Sequence, residues 1–97
     1  MSYDMSIGKS ELNYTYNVAP MWYSILPEKG IRTFYGMTGK ESLQVLTYLY
    51  FQMIGNADNL KKMNPENGWG SFDGALTFVN DLILAAIENP DEVWEGD

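Results

Sequence analysis

Hydrophobic positions follow two rhythms along this chain. In the first half the period is two: in "LNYTYNVA", Leu12, Tyr14, Tyr16 and Val18 alternate with Asn13, Thr15 and Asn17, the pattern of a strand with one buried face. Pro20 ends or edges that strand. "PMWYSIL" continues the extended chain as far as "PEKG", residues 27–30, where proline suits the first corner of a turn. "GIRTFYG" reads as the return strand, so the two segments form an antiparallel hairpin. Residues 1–10 are polar and mixed. They are expected to be a flexible N-terminal segment, leaving 11–97 as a single folded domain.

In the second half the period lengthens to that of a helix. Thr38-Gly39-Lys40-Glu41 has the spacing of a capping box, in which the Thr38 hydroxyl and the Glu41 carboxylate each accept from the other's amide. Behind it Leu43, Leu46, Tyr50, Met53, Ile54, Ala57 and Leu60 recur at three- and four-residue intervals. Gly55-Asn56 is a place for that helix to bend, and Asn64-Pro65 stops it. A second stripe runs through Phe72, Ala75, Leu76, Val79, Leu82, Ile83, Ala86 and Ile87, with Ser71 as cap and Asn89-Pro90 as stop. "EVWEG" adds a short edge strand. The expected fold is α+β: an antiparallel β-hairpin or three-stranded sheet packed by two antiparallel helices.

"NPENGWGS" connects the two helices, and its glycines permit left-handed backbone angles. Two readings of Trp69 follow. The favoured one folds it back over the helix ends as a lid on the core. The other makes it the wall of a ligand or partner pocket.

Composition narrows the chemistry. The chain has 97 residues with no cysteine and no histidine, which removes disulfides, thiolate catalysis and the commonest neutral-pH base and zinc ligand. No stretch approaches the roughly 20 apolar residues of a membrane span. Residues 1–62 hold six basic and five acidic side chains. Residues 63–97 hold Glu66, Asp73, Asp81, Glu88, Asp91, Glu92, Glu95 and Asp97, with no base among them. Direct nucleic-acid binding is not expected, because phosphate contacts require clustered Lys and Arg. An acidic surface serves solubility or meets a basic protein.

Three chemical motifs fail on inspection. "GMTGKES" falls where a phosphate loop would, but Phe34 replaces its first glycine and Glu41 replaces the Ser or Thr after lysine. Asp81 and Glu88 have no cleft implied around them for acid–base work. The C-terminal acids lack the spacing and central glycine of a calcium loop. No catalytic residue, cofactor or metal is therefore expected. Tyr14, Tyr16, Trp22, Tyr23, Phe34 and Tyr35 concentrate aromatic surface on the expected hairpin, suited first to sheet packing and second to an interface.

The segments "LNYTYNVAPMWY", "GIRTFYGMTG", "MNPENGWGSFDGAL" and "NPDEVWE" together resemble a group of small bacteriophage- and prophage-encoded proteins, from about Leu12 onward. No activity attaches to that group, so the resemblance transfers no functional residue. It implies a setting, the cytoplasm of an infected bacterium. Small acidic phage proteins include inhibitors of host defence, of anti-CRISPR and anti-restriction type, some of which mimic nucleic acid; this is an analogy of size and charge.

The expectation is a non-enzymatic protein that binds a host protein with a basic surface. Asp91, Glu92, Glu95 and Asp97 would supply the charge, and Trp94 and Trp69 the anchors. Two alternatives remain open: a protein sequestering a nucleotide signal or metabolite, with Arg32, Lys40, Lys61 and Lys62 as its few cations, or a minor structural or assembly component of the virion. The sequence also admits a homodimer.

Overall fold

The alternation of Tyr3, Met5 and Ile7 with Asp4 and Ser6 is that of a half-buried strand. In the computed structural model, which describes residues 2–97, this strand (β1, Ser2–Ile7) is the middle of a three-stranded antiparallel sheet of order β2-β1-β3. The N-terminal segment expected to be flexible is thus the centre of the sheet. Its partner β2 (Ser10–Thr15) returns through a tight turn at Gly8, whose φ of +56° lies in the left-handed region. The other edge, β3 (Glu95–Gly96), comes from the far end of the chain and pairs through Met5↔Gly96 and Ser6↔Glu95.

The expected hairpin does not form. After β2 the chain makes a 3-10 turn at Tyr16–Val18 and enters helix α1 (Ala19–Ile25), with Pro20 in its first turn. Proline is tolerated there because the first helical N–H groups have no intrahelical partner. "GIRTF" is a second 3-10 turn, Gly30–Phe34. Burial decides both: Met21, Trp22, Ile31 and Phe34 are sealed in the core, and helical spacing brings them there together.

The two long helices stand where their patterns put them. Helix α2 (Gly39–Gly55) opens on the capping box: Thr38 N donates to Glu41 Oε1 at 2.9 Å and Glu41 N donates to Thr38 Oγ1 at 3.1 Å. It ends at Asn56, where the expected bend becomes a break, and a short α3 (Ala57–Lys61) follows. Helix α4 (Phe72–Glu88) is capped by Ser71, whose Oγ accepts from Gly74 N at 3.0 Å. Helices α2 and α4 pack antiparallel; a Cβ on Gly39 would lie 2.5 Å from the Ala86 carbonyl oxygen, so only glycine lets the helix ends close. The sheet and α1 cover one side of this helix pair, and the α+β fold is that expected.

Trp22 and Trp94 sit in one core but in different polar surroundings. Trp94 Nε1 donates to Ser42 Oγ at 2.9 Å, and Ser42 in turn donates to the Gly39 carbonyl at 2.8 Å. Trp22 Nε1 is buried with no partner among the described residues, a cost of about 1–3 kcal/mol. Trp94→Phe should therefore destabilise the domain by about 1 kcal/mol more than Trp22→Phe, as urea unfolding of the two variants would measure.

Candidate acidic interface

Alternation along the sheet sorts its side chains. Tyr3, Met5, Ile7, Leu12 and Tyr14 pack into the core, so the intervening positions face outward. Across the sheet these form two rows, Glu11–Ser6–Glu95 and Asn13–Asp4–Asp97, the last pair held by Asp4 N to Asp97 Oδ1 at 3.2 Å and Asp97 N to the Asp4 carbonyl at 3.3 Å. With strands about 4.8 Å apart, Asp4 and Asp97 are immediate neighbours and Glu11 and Glu95 stand roughly 10 Å apart. The only basic residue in the three strands and their connecting turn is Lys9. Carboxylates directly opposite one another repel, so the fold tolerates this face rather than gaining from it.

The acidic surface continues around the β2 edge. Asn13 borders three shallow depressions. One, of about 490 Å³, is lined by Asp4 and Glu11; a second, of about 370 Å³, by Asp73 and Asp81 of α4; the third, of about 760 Å³, by Trp69 and Asn67. Among the C-terminal acids singled out from sequence, Glu95 and Asp97 lie on the sheet face. Glu92 lies beside the β1–β2 turn, its Cγ 3.3 Å from where a Cβ on Gly8 would be. Asp91 is exposed in the same α4–β3 connection. Asp4 and Glu11 join them through strand pairing, a relation that no local pattern announces.

The two tryptophans, both offered as anchors, part company. Trp94, expected as a partner anchor, is 1% exposed and belongs to the core. Trp69, for which the sequence favours a core lid as packing and a partner anchor as function, is 70% exposed, so the lid does not form. The glycines around it explain why. Gly68 and Gly70 have φ of +78° and +96°, and Asn67 Oδ1 accepts from Trp69 N at 2.9 Å, so the chain turns sharply with the indole outward. Gly70 then lies flat against the end of β2, where a Cβ would approach Thr15 Cγ2 to 2.5 Å. Tyr14 fastens the same corner, its hydroxyl accepting from Ser71 N at 3.2 Å. Trp69 is presented, not packed.

The remaining aromatics resolve mostly into core. Trp22 and Phe34 are buried, Tyr14 stacks on Phe78 at 5.6 Å, and Tyr3 stacks on Tyr16 at 4.2 Å. Arg32 lies over the Tyr3 and Tyr16 rings at 4.9 and 5.0 Å, donates from its Nη2 to the Tyr16 hydroxyl, and donates from Nε to the Asp97 main-chain oxygen at 2.7 Å. Burial, reinforced by nearby Tyr16, pushes the Tyr3 hydroxyl up to about 12; burial and then the Asp97 charge do the same for Tyr35. The cations suggested for a phosphate ligand do not converge. Lys40 starts α2, whereas Lys61 and Lys62 follow its far end, about 25 Å away along the helix. No group of three or more Asp or Glu side chains is placed to hold a metal ion among the described residues, and no helix there is long and apolar enough to cross a membrane.

Comparison with family models, with curated proteins and with solved structures gives no match.

Two substitutions separate presentation from packing at the corner. Trp69→Ala should change stability by less than about 0.5 kcal/mol, as for an exposed side chain. Gly70→Ala should cost more than about 1 kcal/mol, because its backbone angle and its contact with Thr15 both exclude a Cβ. Equilibrium unfolding of both variants checks the contrast.

Proposed function

We propose that this chain is a non-catalytic binding protein whose acidic sheet face docks on a basic surface of a host protein, in the manner of a phage-encoded inhibitor of a defence or nucleic-acid-binding protein. One observation carries the reading: carboxylates from β1, β2, α4 and the C-terminal strand meet around Asn13, beside an indole held outward by glycines. Carboxylates steer a basic partner and set its register, while an exposed tryptophan supplies a desolvated anchor and a face for a cation. Asp4, Glu11, Glu95 and Asp97 provide the charge, with Asp91 and Glu92 extending it, and Trp69 provides the anchor. Trp94 has only a structural part.

A second reading rests on the depression of about 760 Å³ beneath Trp69, lined by Ser2, Asn13, Thr15, Asn17 and Asn67 as well as the indole. This lining carries no charge, so it suits a neutral ligand that stacks on an aromatic ring better than a phosphate.

The test is capture of host proteins on the immobilised chain at low and high salt, alongside the variant Asp4→Asn/Glu11→Gln/Glu95→Gln/Asp97→Asn. The expected partner is basic, is lost at high salt and does not bind the variant. Because these acids repel one another in the folded protein, the same variant should melt at a higher temperature than the wild type. A partner retained equally by the variant would overturn the electrostatic reading. A rise in melting temperature with a neutral aromatic ligand, abolished by Trp69→Ala, would favour the second.

A further inference from the structure

The α2–α4 layer has two sides, and only one is covered. Sheet and α1 occupy that side: Tyr14 and Trp22 both pack on Phe78, and Tyr48 and Gln52 border a depression shared with Ser24 and Ile25 of α1. At about 100° per residue, Leu43, Phe51 and Ile54 of α2 and Ile83, Leu84 and Ile87 of α4 project to the opposite side. Leu43 and Ile83 are half-buried there, while Phe51 is 68%, Ile54 48%, Leu84 52% and Ile87 56% exposed. The last four alone expose on the order of 400 Å² of apolar surface, as much as the largest patch on a typical monomer.

We infer that this helical face is the interface of a homodimer, two copies meeting back to back with their acidic sheets turned outward. Charge selects a second copy. A basic partner is drawn to the carboxylates, most of which lie elsewhere: Asp81 lines the depression beside Tyr14 and the β2 edge, the sheet acids are on the far side of the domain, and only Asp73, eleven residues before Leu84 and so on the same stripe of α4, borders the apolar face. Copies of so acidic a chain, of net charge −7, can approach closely only where carboxylates are scarce, and this is such a face. A two-fold axis parallel to the helices lays α2 of one copy on α4 of the other. Because Gly39 abuts Ala86 and Asn89, Lys40 of one copy then stands at the same end as Glu88 of the other, opposite in charge. Area agrees with a modest affinity. Two 17-residue helices offer a footprint about 25 Å by 20 Å, on the order of 500 Å² before corrugation, below the roughly 800 Å² per partner of a standard interface.

Sedimentation equilibrium between about 1 μM and 1 mM tests this. The wild-type mass should climb from monomer toward twice that value and stop. Added salt should leave the association intact, unlike binding through the acidic face. Phe51→Glu and Leu84→Glu should each weaken association at least ten-fold while leaving the circular dichroism spectrum unchanged; Phe51→Ser/Leu84→Ser serves if the charged variants misfold. A monomer mass throughout, growth beyond the dimer, or a dimer insensitive to all these substitutions would overturn the assignment.

Discussion

The structure depends on the seating of Trp94 beneath the start of α2. Its indole N–H reaches Ser42 Oγ inside the core, and its backbone is tied on both sides, Trp94 N to the Met37 carbonyl at 2.9 Å and Gly36 N to the Trp94 carbonyl at 3.0 Å. Gly39 N bonds the Glu92 carbonyl, and Thr38 bridges Val93. These bonds hold the chain after α4 against the entrance of α2 and so align the next residues with β1. Without them a two-residue strand could not keep its register, since so short an edge contributes few bonds of its own. The placement of Glu95 and Asp97 on the acidic face follows from a tryptophan that faces the other way.

What could be read in the sequence is what is encoded locally. Thr38 and Glu41, Ser71 and the stripes behind them name two helices, because a cap and a 3.6-residue period are properties of one segment. Strand β1 is not legible because "SYDMSI" mixes three apolar residues with Ser and Asp, which are poor strand formers, and one of its two partners, β3, comes from the far end of the chain. The extended reading of "PMWYSIL" fails for a related reason: Trp, Tyr and Ile have weak helix preference, yet the burial of Met21 and Trp22 makes the segment helical.

The candidate site divides along the same line. The excess of acids after residue 62 is a matter of composition, so Glu95 and Asp97 were visible. Asp4 and Glu11 became their neighbours only through pairing. The opposite placement of the two tryptophans shows how little residue type says about exposure. Glycines on either side of Trp69 are compatible with a lid or a platform, and the difference lies in which surface Gly70 touches, Thr15 at the end of β2 and Val18 of the 3-10 turn after it, more than fifty residues earlier.

The position of β1 between β2 and β3 also bears on how the chain is made. Its pairing with β2 is local and can form as soon as both strands have emerged from the ribosome. Its pairing of Ser6 with Glu95 must wait for the roughly ninety residues between them to be translated, at about 5–20 residues per second. During synthesis the centre of the finished sheet is an open edge, the kind of template on which strands of other chains can add. Arrival of Glu95 and Gly96 closes the sheet and ends that exposure in one step, so a polypeptide cut short before them would keep its first strand unguarded.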